Sequence, residues 1–324
     1  MSKRRELLRR HRVPVALVIA NLAFATMFVT VALGAFHQPT PHDLPVGVVG
    51  PLPAQAQLQR SLDERAPSEF GLRSYGGEPQ ARGAIGRREI DGAVILSPSG
   101  PRLLITTAGG TAAAQALTRA FTAAGAPRGQ RLVVQDVVPP KPGDSQALSS
   151  FFLILCVLFP SLAAGAASAH LLEGERSVWR FTVPLVAAAA IGLVVAAIGD
   201  AISGLGDYLA LAGIVALFSL AISLPTAALR TIKPHLVALA ILVFLVIGVP
   251  VSGGPAGLAP FGPGVLRVLD SALPLGVAVT AVRNVVYFGG HDTAGHLLVL
   301  GVWALAGFAT LALLIGRERS YAAS

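Results

Sequence analysis

Charge, cysteine and lysine are all scarce in this chain. Only 13% of its 324 residues are charged, about half the roughly 25% of an ordinary soluble domain. With 53% hydrophobic residues it has far too much apolar surface to stay disordered. Cys156 is the single cysteine, which excludes a disulfide-stapled scaffold. Lysine occurs only at Lys3, Lys141 and Lys233 while arginine supplies the other cations, a coding bias of high-GC bacterial genes. Catalytic signatures are missing too. There is no Gly-x-x-x-x-Gly-Lys-Ser/Thr phosphate loop, no His-Glu-x-x-His and no Gly-x-Ser-x-Gly, so neither ATP hydrolysis by that route nor a hydrolase is expected of this chain. We expect no catalytic residues and no cofactor. His37, His42 and Asp43 are the nearest thing to a metal-ligand group, and a solvated stem is the simpler reading of them.

What the chain does have is long apolar runs. A bilayer core about 30 Å thick needs about 20 apolar helical residues. Six stretches fit or nearly fit: 13–36, 148–169, 181–203, 208–229, 235–251 and 293–315. None shows the polar face of a soluble amphipathic helix. The expected fold class is therefore a polytopic α-helical membrane protein with six transmembrane helices. The first run has a basic leader but is too long for a signal-peptide core, and no Ala-x-Ala-like site follows it, so it reads as an uncleaved anchor.

A net charge of +8 suggests a nucleic-acid binder until the charges are placed. Lys3, Arg4, Arg5, Arg9, Arg10 and Arg12 lie in the tail 1–12, Arg176 and Arg180 in the loop 170–180, Arg230 and Lys233 between the fourth and fifth runs, and Arg317 and Arg319 in the tail 316–324. Placing these four segments in the cytoplasm satisfies the positive-inside rule and puts both termini inside. The other side then balances to zero. The excess is a topology signal directed at anionic lipid headgroups, and the expected partner is the bilayer, with no nucleic acid.

Residues 37–147 then form an extracytoplasmic α/β domain between the first and second helices. Its pattern reads β-α-β-α-β-β-α-β: strands at 44–49, 70–75, 90–96, 103–106 and 132–138, and helices at 54–65, 79–89 and 111–124, from apolar alternation and Gly/Pro breaks. Residues 252–292 form a second outer segment, opening on a Gly/Pro cluster that cannot be helical. It continues with two short apolar helices split by Pro274, which predict a re-entrant or interfacial pair with Arg267, Asp270 and Arg283 facing water or each other.

Polar groups beside the membrane are few. Asp200 and His296 are the intramembrane candidates, Asp200 reading as a capping or solvated carboxylate near a helix end. Cys156 reads as a small buried hydrophobe. In the loop 170–180, Glu173, Glu175, Arg176 and Trp179 fit either an amphipathic interfacial turn or a docking element for a cytoplasmic partner.

Three stretches carry a family likeness: Arg88-Glu89-Ile90-Asp91-Gly92-Ala93-Val94-Ile95-Leu96-Ser97-Pro98; Glu173-Gly174-Glu175-Arg176 with Pro184 following; and Ala272-Leu273-Pro274 with Val282-Arg283-Asn284-Val285-Val286-Tyr287-Phe288-Gly289-Gly290. With one helix, a large outer domain and five further helices, the chain over residues 10–316 resembles the type-2 permease superfamily of ABC exporters. Within it, the chain is similar to the phage-infection-protein-like bacterial membrane proteins. The resemblance implies a permease subunit in the bacterial plasma membrane that moves an amphipathic or lipid-like substrate outward. It further implies a separate cytoplasmic ATPase coupled through Glu173, Glu175, Arg176 and Trp179, an outer re-entrant segment carrying Pro274, Arg283 and Tyr287, and pairing as a homodimer or heterodimer. The alternative expectation is a non-transporting envelope protein whose outer domain binds a cell-envelope component, a secreted protein or a phage.

Overall fold

The computed structural model describes residues 41–98, 100–125, 132–171, 178–257, 261 and 264–323, together with 22, 26, 29 and 30. The tail 1–12 and almost all of the run 13–36 lie outside the described residues, as do Glu173, Glu175 and Arg176.

The first unit is a five-stranded sheet with helices on both faces. Its elements are β1 (Leu44–Val49), α1 (Leu52–Arg65), β2 (Phe70–Ser74), α2 (Glu78–Gly86), β3 (Gly92–Ser97), β4 (Gly100–Ile105), α3 (Thr111–Gly125) and β5 (Val133–Asp136), in the order read from the sequence. The strand order is β2-β1-β3-β4-β5. β1 runs parallel to β2 and β3, β4 antiparallel to β3, and β5 parallel to β4. Alternation sorts the side chains. Leu44, Val46, Val48, Val94 and Leu103 face Leu58 and Leu62 of α1 and Leu117 and Phe121 of α3. Ala93, Ile95 and Leu104 face Ala81, Ala84 and Ile85 of α2. β1 lies inside and is apolar on nearly every residue, as a strand covered on both faces must be.

The second unit is helical: α4 (Ser149–Leu171), α5 (Trp179–Ser203), α6 (Tyr208–Ile232), α7 (Pro234–Val251), α8 (Gly264–Ala272), α9 (Pro274–Phe288) and α10 (Ala294–Ala323). Five of these, α4 to α7 and α10, are long and apolar enough to cross a membrane, and α8 with α9 would make a sixth if that pair were one span. On α5, Leu193, Val194, Ile198 and Ile202 are 46–74% exposed. So continuous an apolar surface is unsuited to water and suited to lipid, which fits a membrane-embedded protein. Cys156 differs from its expected burial. It stands on the outer face of α4, where a thiol costs little in an apolar medium.

α6 is the centre of the bundle, with Leu211, Val215, Phe218 and Ile222 fully buried. Three neighbours approach it through glycines: Gly165 of α4 lies against the Ser223 carbonyl, Gly192 of α5 against that of Ala212, and Gly307 of α10 against the Pro225 nitrogen. Small residues let helix backbones close in where lipid supplies no hydrophobic drive. Ser161 and Ser219 hydrogen-bond across the α4–α6 contact at 2.9 Å. α10 runs on to Ala323, past the expected helix end at 315.

The two ends of the bundle differ. At one end the sheet unit meets α4, α9 and the 252–257 turn. At the other lie Arg180, Arg230, Lys233 and Arg317, where Arg180 pairs with Glu318 at 2.6 Å.

Candidate functional site

The α8–α9 pair is bent by 74°. Leu273 is extended and Pro274 takes the first turn of α9, where proline costs no hydrogen bond. α9 stops at Gly289, left-handed at φ 60°, as a C-terminal glycine should. Chain enters the pair from a turn whose Ala256 carbonyl accepts the Ala112 amide of the sheet unit at 3.2 Å, and leaves it at Phe288 beneath Arg88. Both connections are thus on the sheet side. At the bend, Trp303 Nε1 donates to the Ala272 carbonyl at 2.8 Å. Trp303 stands nine residues into α10, about 14 Å along it. On α8, Val265 and Val268 face outward, while the Asp270 carboxyl fills the place of the missing side chain of Gly276. Its Oδ1 is buried without a hydrogen-bond partner among the described residues.

α9 delivers Arg283, Tyr287 and Phe288 to the underside of the sheet unit. Tyr287 donates its hydroxyl proton to Asp144 Oδ2 at 2.5 Å. Asp144 Oδ1 accepts from the Leu148 and Ser149 amides at 3.0 and 2.9 Å and from Ser149 Oγ at 2.8 Å, which satisfies free amides at the start of α4. One buried carboxylate therefore joins α9, α4 and the end of the sheet unit. Lys141 donates to the Leu205 carbonyl nearby. Arg88 lies over the Phe288 ring, 4.6 Å from its centre, and 3.9 Å from Asp91. Burial pushes the Asp91 carboxyl above its usual range, with Arg88 opposing. Arg283 is 5% exposed. Its Nη1 reaches the Gly109 carbonyl at a long 3.4 Å, and its Nε has no partner among the described residues.

The expected site residues are thus distributed unevenly. Arg283 and Tyr287 come together at this junction, whereas Pro274 sits at the bend. Of the two expected surroundings of Arg283, water or its charged neighbours, water is absent, because α9 is covered by α4, α6, α10 and the sheet unit, and Asp270 acts on it electrostatically. Trp179 is half-exposed at the start of α5. Asp200 is exposed and accepts from the Gly206 amide at 2.9 Å, in keeping with a capping carboxylate. His296 Nδ1 lies 2.7 Å from the Asp292 carbonyl, in the first turn of α10. Neither reaches the junction. Sequence reasoning missed Arg88 and Asp144, and it named Asp270 without its place against Gly276. Only Asp144 left a signal, an acid with Ser149 five residues on at a helix start.

A second feature lies on the flank of the bundle. Phe181 and Leu185 of α5, Leu220 and Leu224 of α6, and Ala304 and Phe308 of α10 line an open groove of about 370 Å³ whose walls are almost wholly apolar. The Phe181 and Phe308 rings meet at 4.9 Å, toward the end that carries Arg180.

No family model matches the chain, and no curated protein matches it significantly.

Proposed function

We propose that the chain is the permease subunit of an exporter that moves an amphipathic or lipid-like compound outward across a bacterial plasma membrane, driven by a separate ATPase. The observation that carries this reading is the groove between α5, α6 and α10. It is apolar, open to the side, and placed on helices long enough to span a bilayer, so an apolar tail enters it from the lipid without crossing water. On this reading the run 13–36 is the first of six spans, α8 and α9 form a re-entrant pair on the outer side, and the sheet unit is extracytoplasmic. The basic far end of the bundle is then cytoplasmic, in keeping with the positive-inside rule. Trp179, at that end, belongs to the loop that would receive the ATPase, and a second copy or a related chain would complete the path.

Co-purification from mild detergent tests the coupling. An ATPase should be retained by the wild-type chain and lost when Glu173, Glu175 and Arg176 are replaced by alanine. Recovery of no ATPase with the wild type, with unchanged efflux of amphiphiles on gene deletion, defeats the reading.

One observation favours the second reading, a non-transporting protein that binds an envelope component, a secreted protein or a phage. At the carboxyl ends of β1 and β3, where the winding of the sheet reverses, Pro51, Leu58, Leu96, Pro98 and Pro101 line a crevice of about 300 Å³. Such switch points are where open α/β sheets bind ligands. The crevice points away from the bundle.

A further inference from the structure

Two buried or half-buried guanidinium groups meet at Gly109, in the loop that leads from β4 into α3. A side chain on Gly109 would collide with Arg88 Nη1, at 2.7 Å, and Arg283 Nη1 lies 3.4 Å from the Gly109 carbonyl. The Arg283 guanidinium is also held against Gly257, where a Cβ would stand 3.2 Å from Nη1. Like charges at such a place repel, and Arg88 acts against the charge of Arg283, with Tyr287, Asp144 and Asp270 opposing. No carboxylate makes an ion pair with Arg283 among the described residues. Asp270 acts electrostatically on Arg283 without closing to an ion pair, Asp144 is saturated by Tyr287 and the start of α4, and Asp91 stands at the outer limit of an ion pair with Arg88. A buried guanidinium with an idle Nε–H is costly unless something accepts from it.

The same loop supplies a second anion-attracting element. α3 is a helix of 15 residues with no acid in its first turn, and it follows its strand through Gly109 and Gly110, the latter at φ +156°. A strand, a glycine loop and a helix N-terminus are the ordinary parts of a phosphate cradle, because free amides and the helix dipole point the same way. Guanidinium forks match the oxygens of a tetrahedral oxyanion. Against this stand the Gly109 and Ala256 carbonyls, which line the approach, and the Gly109, Gly110 and Ala112 amides, which already donate to Thr106 Oγ1, the Thr107 carbonyl and the Ala256 carbonyl.

We infer that the junction of the sheet unit with α9 is a binding site for a phosphate-type oxyanion, held by Arg88, Arg283 and the N-terminus of α3. Free phosphate and the headgroup of an acidic phospholipid share this chemistry. The site does not depend on the chain being a transporter, and in either case its occupant would tie the sheet unit to the bent pair.

The test uses the full chain in phosphatidylcholine nanodiscs. Inorganic phosphate is titrated by calorimetry against chloride at equal ionic strength. In a parallel arm, retention of phosphatidic acid over phosphatidylcholine is read by native mass spectrometry. Saturable phosphate binding identifies the free ion, and selective retention of phosphatidic acid alone identifies the headgroup. In either arm Arg88→Gln and Arg283→Gln should each weaken binding about tenfold or more, the usual effect of losing a hydrogen bond to a charged group. Gly109→Ala keeps every charge and displaces the Arg88 tip, with Thr106 giving by a few tenths of an ångström, so it should weaken binding even if Arg283→Gln fails to fold. Absence of binding in both arms overturns the site, as does binding that Arg88→Gln and Gly109→Ala leave unchanged.

Discussion

Arg88 of the sheet unit lies over the ring of Phe288 at the end of α9, 4.6 Å from its centre. This contact brings together two segments 200 residues apart, and both belong to the stretches that carry the family likeness. The sheet unit is therefore seated on the bent pair rather than tethered loosely above the bundle. A cation over an aromatic face contributes about 0.5–2 kcal/mol depending on desolvation. Phe288→Leu keeps the apolar volume and removes the ring. It should speed hydrogen exchange in residues 84–94 while leaving α6 protected, and unchanged exchange there would refute a docking role.

Asp144 is the hinge pin between α9 and α4. Asp144→Ala strips the start of α4 of its acceptor and should cost about 1–2 kcal/mol, the upper range for a lost N-terminal cap. Tyr287→Phe should cost about 1 kcal/mol, and the double variant should show a coupling of at least about 0.5 kcal/mol. Additive losses in thermal unfolding of the detergent-solubilised protein would mean that the two residues do not act together.

Glycines on the bundle should divide by what they face. Gly307 has the backbone of Pro225 and Leu224 against it, while Gly213 has nothing within 4 Å. Gly307→Ala should destabilise by about 1–3 kcal/mol through overpacking. Gly213→Ala should be neutral or stabilising by up to about 1 kcal/mol, from helix propensity. The opposite ranking would contradict the central place given to α6.

Glu78 gives the sheet unit an acid-sensitive tie. The hydrogen bond from Arg82 Nε, at 2.9 Å, holds its carboxyl below the ordinary 4.5, with Arg102 assisting. Arg82 also donates to Gln135 of β5 at 2.8 Å, so the network steadies the edge strand. A lowered folded-state value means that the contribution is complete above the unfolded value and is lost as pH falls through the folded one. Because the pair is partly exposed, it is worth at most about 1 kcal/mol. Glu78→Gln should lower stability at pH 7 and flatten the acid limb of the unfolding curve below 4.5. An unaltered acid limb would refute the tie.

Much of the fold could be read from local pattern. The β-α-β-α-β-β-α-β order follows from runs such as Leu44–Val49 and from the spacing of Leu58 and Leu62, and the span-length helices follow from length and hydropathy. What local pattern does not contain is which faces meet. Arg283 reads as a polar residue beside water until the sheet unit is seen to cover it. Asp270 reads as an acid facing water or a nearby arginine because nothing six residues away announces that Gly276 leaves a notch for it. Arg88 sits in a turn, left-handed at φ 64°, and its direction depends on that single backbone conformation. Asp200 and His296 were visible as polar residues near helix ends, and the structure gives them local bonds to Gly206 and Asp292 instead of a shared site.

The most direct test of the permease reading is efflux of a fluorescent amphiphile from cells that express the wild-type chain or Ala304→Phe, which fills the groove between α5, α6 and α10. Wild-type cells should clear the amphiphile faster than cells without the gene, and Ala304→Phe, at equal membrane abundance, should not. Equal clearance in all three would contradict transport through this groove.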